Sequence, residues 1–393
     1  MTKIEWTNAP GFKGETWNVS VGCRPVSSGC LNCYAARMAG TRLKHRPEYL
    51  GLTVERGGRQ VFNGTVRCLE DRIDAPLHWR EPRMVFVDSM SDLFYGDDED
   101  RKACEAQGIP FTPVDFEFVD RVFAVMALCP RHVFQILTKR PARMAEYLVE
   151  DQELRVDDIT GAMHEIRLDP SRSRQRHQLT AAMNNGWMDR GSIHKRALPL
   201  PNLWLLTSAE NQATLDERLP HLLRCPAAVR GLSLEPLLGE IDIGRSVAIA
   251  RHRELDVMLG RDARWGLDWV IAGGESGSQA RPMHPDWARS LRDQCAIAGV
   301  PFFFKQWGEW APHKYGEAVT KPCGSWVDGE WAPYVLTGSG TAMVRVGKKA
   351  AGAVLDGREY RMWPGHRTNG SAHSHPSAAS ASSPRAPRTP VSA

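Results

Sequence analysis

Six times between residues 84 and 304 the chain repeats one phrase: an apolar run of four to six residues, a polar turn, then a helical pattern. The runs are Met84–Val87, His132–Leu137, Leu203–Leu206, Val229–Leu234, Trp269–Ala272 and Val300–Phe304. Continuous apolar runs suit strands covered on both faces. The segments between them supply helical stripes: Leu215, Leu219, Leu222 and Leu223 share one face, as do Trp287, Leu291, Cys295 and Ala298, with Pro285 placed for a first turn. This alternation predicts an α/β protein with a parallel sheet and crossover helices. The alternating stretch Thr16–Val21 predicts one strand more, giving about seven units over residues 17–305. That is many for a small open sheet and few for a closed eight-strand barrel, so the expectation is a partial parallel barrel. A doubly wound sheet is the alternative, since strand order cannot be read from one sequence.

Two stretches break the rhythm. Residues 151–200 and 239–266 read as insertions, the second carrying Arg251, Arg253, Arg261 and Arg264. Residues 1–305 are therefore expected to form the barrel, and the Gly- and Trp-rich residues 306–365 a small cap containing a strand at Thr341–Val346. Residues 366–393 are Ser, Ala, Pro and Arg with almost no large apolar side chain, a composition expected to stay disordered.

The longest apolar run, Val122–Cys129, is far short of the roughly 18 residues of a membrane span, and Met1–Trp17 lacks a basic-then-apolar leader. The expectation is a cytoplasmic protein without membrane contact. Nine cysteines, an odd number, point in that setting to reduced thiols; six are scattered singly and read as core or surface residues. The formal charge is only +4, yet Arg167–Arg196 alone holds seven Lys/Arg against two acids. A local basic arm of this kind can meet the phosphates of a nucleic acid, or simply be solvated.

In parallel α/β scaffolds chemistry collects at the carboxyl ends of the strands. There the chain places Asp88-Ser89-Met90-Ser91-Asp92, Thr138-Lys139-Arg140, Ser208-Ala209-Glu210-Asn211, Glu235-Pro236, Gly273-Gly274-Glu275-Ser276-Gly277 and Lys305-Gln306-Trp307. Asp88, Asp92, Ser208 and Asn211 are as suited to capping helices as to binding a ligand. Glu210, Glu235 and Glu275 each follow a buried run, where an unpartnered carboxylate is costly, so they are expected to serve as ligands or in catalysis. Lys139, Arg140 and Lys305 can pair with those acids. Glu235 and Lys305 are the candidate catalytic residues. Gly273 and Gly274 let backbone approach a ligand closely, or merely make a turn.

Cys23, Cys30 and Cys33 stand at C-x6-C-x2-C in a Gly- and Pro-bearing loop just before a helical pattern, Tyr34–Leu43. This is the form of a metal-binding loop, with Cys33 at a helix N-terminus that favours thiolate. Structural zinc commonly takes four protein ligands and no fourth is near. Three thiolates suit a [4Fe-4S] cluster with one open iron; zinc with a distant fourth ligand stays open.

A three-cysteine loop after the first strand of a partial (β/α)6-type barrel resembles the radical S-adenosylmethionine superfamily. The wording Ile4-Glu5-Trp6-Thr7, Thr16-Trp17-Asn18, Gly29-Cys30-Leu31-Asn32-Cys33-Tyr34-Ala35, Leu137-Thr138-Lys139-Arg140-Pro141, Ser233-Leu234-Glu235-Pro236, Gly273–Gly277 and Phe304–Gly308 is similar to phage and prophage three-Cys-motif proteins, over residues 4 to about 364. The loop departs from the superfamily's usual C-x3-C-x2-C, and Asn32 stands where an aromatic is common. The resemblance implies Cys23, Cys30 and Cys33 as ligands of a [4Fe-4S] cluster with S-adenosylmethionine on the fourth iron. It implies cofactor contacts from Asp88 and Ser89, from Ser208, Glu210 and Asn211, and from Gly273, Gly274 and Glu275. The implied function is a radical enzyme fed by an electron donor, with a nucleic acid or nucleobase as the expected substrate, reached through the Arg167–Arg196 insert. The alternatives are a non-catalytic nucleic-acid-binding or phage accessory protein with a structural zinc or iron–sulfur site, and a metal-dependent hydrolase using the three glutamates.

Overall fold

The computed structural model describes residues 2, 4–172, 176–182, 198–252, 266–313, 325–327, 330–332, 334–335 and 342–365. Seven strands form one parallel sheet: β1 (Lys13–Trp17), β2 (Arg83–Val87), β3 (Val133–Thr138), β4 (Leu203–Ser208), β5 (Val229–Leu234), β6 (Trp269–Gly273) and β7 (Phe302–Gln306). They neighbour one another strictly in chain order. A doubly wound sheet reverses its order at a switch point, and none occurs here, so that alternative falls.

The sheet curls into a half-barrel. Trp6 shows how far: its ring lies 4.8 Å from Phe86 on β2 and 6.1 Å from Trp269 on β6. In a flat sheet those strands would stand roughly 19 Å apart, four inter-strand spacings. The alternation along each strand explains the curl. Val85, Leu205, Val270 and Phe304 face outward into the large core shared with the helices. Met84, Trp204, Leu206, Trp269, Ile271 and Phe303 face inward and pack around Trp6 and Trp363 as an apolar floor. The Trp363 indole donates to the Trp6 carbonyl at 3.0 Å, which ties the two ends of the described chain together under the barrel.

The helices are α1 (Tyr34–Gly40), α2 (Asp98–Glu105), α3 (Phe116–Leu128), α4 (Pro141–Val149), α5 (Gln152–Leu168), α6 (Arg176–Ala182), α7 (Gln212–Arg224), α8 (Ile243–His252) and α9 (Pro285–Ala298). Pro285 stands in the first turn of α9. Two segments expected as insertions contribute to the body instead. In α5, buried Val156, Ile159, Met163 and Ile166 join the outer core, a helical spacing that intervening Asp, Thr and His residues obscure. Helix α8 is the crossover between β5 and β6, with Ile243 and Val247 in that core. Residues 173–175 and 183–197, which carry four of the seven Lys/Arg of the basic stretch, and 253–265 lie outside the described residues, as does the tail from 366.

The first strand also differs. It ends at Trp17, and Ser20–Val21 leaves the sheet to pair antiparallel with Arg67–Cys68. The cause is Asp88, whose carboxylate accepts from the Val19 and Ser20 amides at 2.8 and 2.9 Å and from the Ser20 hydroxyl at 2.8 Å. In the cap, Trp310–His313 pairs antiparallel with Ala342–Arg345. No described helix is long and apolar enough to cross a membrane.

Candidate metal and cofactor centre

The cysteine loop starts at Gly22, where the backbone has φ +95° and a Cβ would come within 2.1 Å of the Thr65 carbonyl. Only glycine meets both demands. The loop then closes through a short 3-10 turn at Ser28–Cys30, and Cys33 is the residue before α1. Cys23, Cys30 and Cys33 all border one cavity of about 150 Å³ at the carboxyl ends of β2, β3 and β4. The remaining wall includes Asp88, Ser89, Asp92, Lys139, Arg140 and Ser208. Among the described residues no three His, Cys, Asp or Glu side chains are grouped closely enough to hold a single metal ion.

The three thiols differ electrostatically. Burial pushes Cys23 up to about 12, with Arg140 pulling the other way, and burial also raises Cys33. At Cys30 burial is outweighed by the Lys139 and Arg140 charges and by backbone hydrogen bonds from Val26 and Ser27, which hold it below the ordinary thiol value. Arg140 is itself buried and donates to Cys23 Sγ at 3.6 Å and to Asp92 at 3.2 Å. It forks onto Asp100 at 2.5 and 2.6 Å, and Arg24 donates to the same carboxylate at 2.7 Å. Lys139 donates to the Ser208 hydroxyl at 2.9 Å and makes no ion pair with a described carboxylate.

Two glutamates clamp the loop from distant strands. Glu210, just past β4 and fully buried, accepts from the Gly29 amide at 3.0 Å and from the Ser28 hydroxyl at 3.2 Å, with Arg218 at 3.5 Å from its other oxygen. Burial opposes its ionisation, yet the loop's hydrogen bonds and the charges of Arg218 and Lys139 hold it below the usual carboxylate range. Glu275, past β6, takes Asn32 Nδ2 at 2.9 Å and Arg281 Nη2 at 2.6 Å; Arg281 in turn donates to the Ser28 carbonyl at 2.9 Å. Asn32 also accepts from Arg59 at 2.9 Å. A phenylalanine ring at position 32 could make none of these bonds.

The expected site residues thus divide. Cys23, Cys30, Cys33, Asp88, Ser89 and Ser208 meet at the cavity, although Asp88 is committed to the Val19–Ser20 turn and the Ser89 hydroxyl donates to Asn18 at 3.0 Å. Asn211 caps α7 in a reciprocal box with Thr214. Gly274 gives close backbone packing: a Cβ there would lie 1.9 Å from the Trp307 carbonyl, and the neighbouring Gly273 lies beside Glu235 and Lys305. Glu235 and Lys305 pair at 2.8 Å to both carboxylate oxygens, away from the cavity wall. The three glutamates are therefore held by three separate cations, Arg218, Lys305 and Arg281. Asp100, Arg218 and Arg281 escape sequence reading, because nothing in their local pattern tells which distant loop they reach.

Residues 1–364 match the model of the family described as "Protein of unknown function (DUF5131)", and the chain belongs to that family. No curated protein and no solved structure matches it.

Proposed function

We propose that this DUF5131 member holds a [4Fe-4S] cluster on Cys23, Cys30 and Cys33, binds S-adenosylmethionine beside it, and acts as a radical enzyme. The observation that carries the reading is the convergence of the three thiols on one cavity at the carboxyl mouth of a parallel half-barrel. When bound, the cluster supplies reductive cleavage of S-adenosylmethionine for hydrogen abstraction from a substrate. The donor set fits it: three soft sulfur ligands with cations beside them.

The chain's own residues have definable work. Glu210, Glu275 and Asn32 hold the loop in one conformation. Arg140 donates to the Cys23 sulfur, a bond that strengthens when the sulfur is anionic. Lys139, which donates to the Ser208 hydroxyl and makes no ion pair with a described carboxylate, offers an ammonium to an anionic group in the cavity. The Trp6, Phe86 and Trp269 floor keeps water from entering below. Glu235 and Lys305, sharing one ion pair at the carboxyl ends of β5 and β7 and outside the cavity wall, are the proposed pair for proton exchange with a substrate that reaches them.

A glutamate-based hydrolase draws less support, since each of the three glutamates is engaged by its own cation. The test is anaerobic reconstitution followed by dithionite and S-adenosylmethionine. About four irons and four sulfides per chain and formation of 5′-deoxyadenosine are expected, all lost in the triple Cys→Ala variant. A full cluster that yields no 5′-deoxyadenosine under any reductant ends the radical reading.

A further inference from the structure

We infer that the outer side of the cysteine loop and the segment after it bind single-stranded nucleic acid. This deepens the reading above by naming a substrate class, and its purpose rests on that reading, but the binding itself requires no cluster. Leu31 and Tyr34 flank the last cysteine and are 43% and 60% exposed. Neither borders the cavity, so they stand on the side of the loop turned to solvent. Residues 31–46 contain Arg37, Arg42, Lys44 and Arg46 and no acid, a local charge equal to the +4 of the whole chain. All four cations are exposed, and no ion pair joins any of them to a described carboxylate; the next acid, Glu48, is held by Arg72 at 2.6 Å.

Four unneutralised cations in sequence suit a run of phosphates, and three of them are arginines, whose planar forks match phosphate oxygens. Tyr34 adds a feature that a general anion would not use. An exposed ring beside an exposed leucine is a stacking platform for unpaired bases, which a duplex keeps hidden. Charge and ring together favour a single strand over an acidic protein.

Fluorescence anisotropy with a labelled oligodeoxynucleotide of about 20 residues, across about 50–200 mM salt, tests this. The triple variant Arg42→Glu, Lys44→Glu, Arg46→Glu should bind at least tenfold more weakly and lower the salt slope by about 2, at about 0.7 per lost phosphate contact. Tyr34→Ala should weaken binding by roughly tenfold with the slope unchanged. All four side chains are exposed, and circular dichroism checks that the fold is kept. Equal affinity of wild type and triple variant overturns the inference. So does equal binding of the matching duplex or of heparin with no effect of Tyr34→Ala, which would make this a surface for polyanions or an acidic protein. The two readings also separate: 5′-deoxyadenosine without oligonucleotide binding ends this inference alone, and binding without a cluster leaves it standing.

Discussion

Arg140 stands with one guanidinium nitrogen 3.6 Å from Cys23 Sγ while its other two nitrogens fork onto Asp100 at 2.5 and 2.6 Å. One buried side chain therefore couples the cysteine loop to the start of α2. Arg140→Met would leave Asp92 and Asp100 buried with reduced compensation, and breaking such a pair costs about 3–5 kcal/mol. Arg24 and Thr138 still serve those acids, so the lower end is expected, measured by urea unfolding. Arg140→Lys keeps the charge without the fork and should lose less. A loss under about 1 kcal/mol for the Met variant would contradict the assignment.

The Glu210 clamp makes a local prediction. Removing the acceptor in Glu210→Ala should speed hydrogen exchange of the Gly29 amide by roughly ten- to a hundredfold, the scale of a charged hydrogen bond. Glu210→Gln keeps an acceptor and should change it less. Unaltered protection at Gly29 in the Ala variant would show that the loop is held by other means.

Two glycines should respond with opposite sign. At Gly274 a Cβ meets the Trp307 carbonyl at 1.9 Å, so Gly274→Ala must part the loops after β6 and β7, at a cost of about 2 kcal/mol or more. Gly161 lies in α5 with nothing within 4 Å of its would-be Cβ. Gly161→Ala should therefore raise stability by about 0.5–1 kcal/mol through helix propensity. Thermal or urea midpoints of the two variants decide it.

Asp88 predicts a pH dependence. Burial raises its carboxyl from 3.8 to about 7, against the pull of the Val19 and Ser20 hydrogen bonds. Between those values the folded state keeps a proton that the unfolded chain releases. Its contribution is thus fully present below about pH 4, falls as pH rises, and is gone above about pH 7, by about 4 kcal/mol in all. His132 works oppositely: burial lowers it to about 4, so its contribution is lost as pH falls from about 6.5. The readout is therefore the difference between wild type and Asp88→Asn in urea midpoints at about pH 5, 6 and 7. A difference that does not change with pH would rule out a buried, high-pKa Asp88.

The strands were legible because both faces of the sheet are covered, so their apolar runs are continuous; Val229–Leu234 is found over the residues expected. The three cysteines were legible because their chemistry is local in sequence. The helix α5 was not, since a hydrophobic stripe interrupted by Asp157, Asp158 and Thr160 reads as weak periodicity until α3 is seen against it. The strand-end acids were found as residues but not in their roles. Glu210 and Glu275 look alike in the sequence to Glu235, and only the curl of the sheet decides which reaches the cysteine loop and which meets Lys305. The role of Asn32 was hidden as well, because its partner Glu275 lies 243 residues away.

That separation sets an order of events in synthesis. Asn32 and its neighbouring thiols leave the ribosome 243 residues before Glu275 exists to hold them. At about 5–20 residues per second, the cysteine loop waits roughly ten to fifty seconds without its second clamp. During that interval the sulfurs stand on a loop that lacks its Glu275 contact, and the full geometry described here is established only after β6 has been made. Any loading of the site on the growing chain would precede its shape; loading after release would follow it.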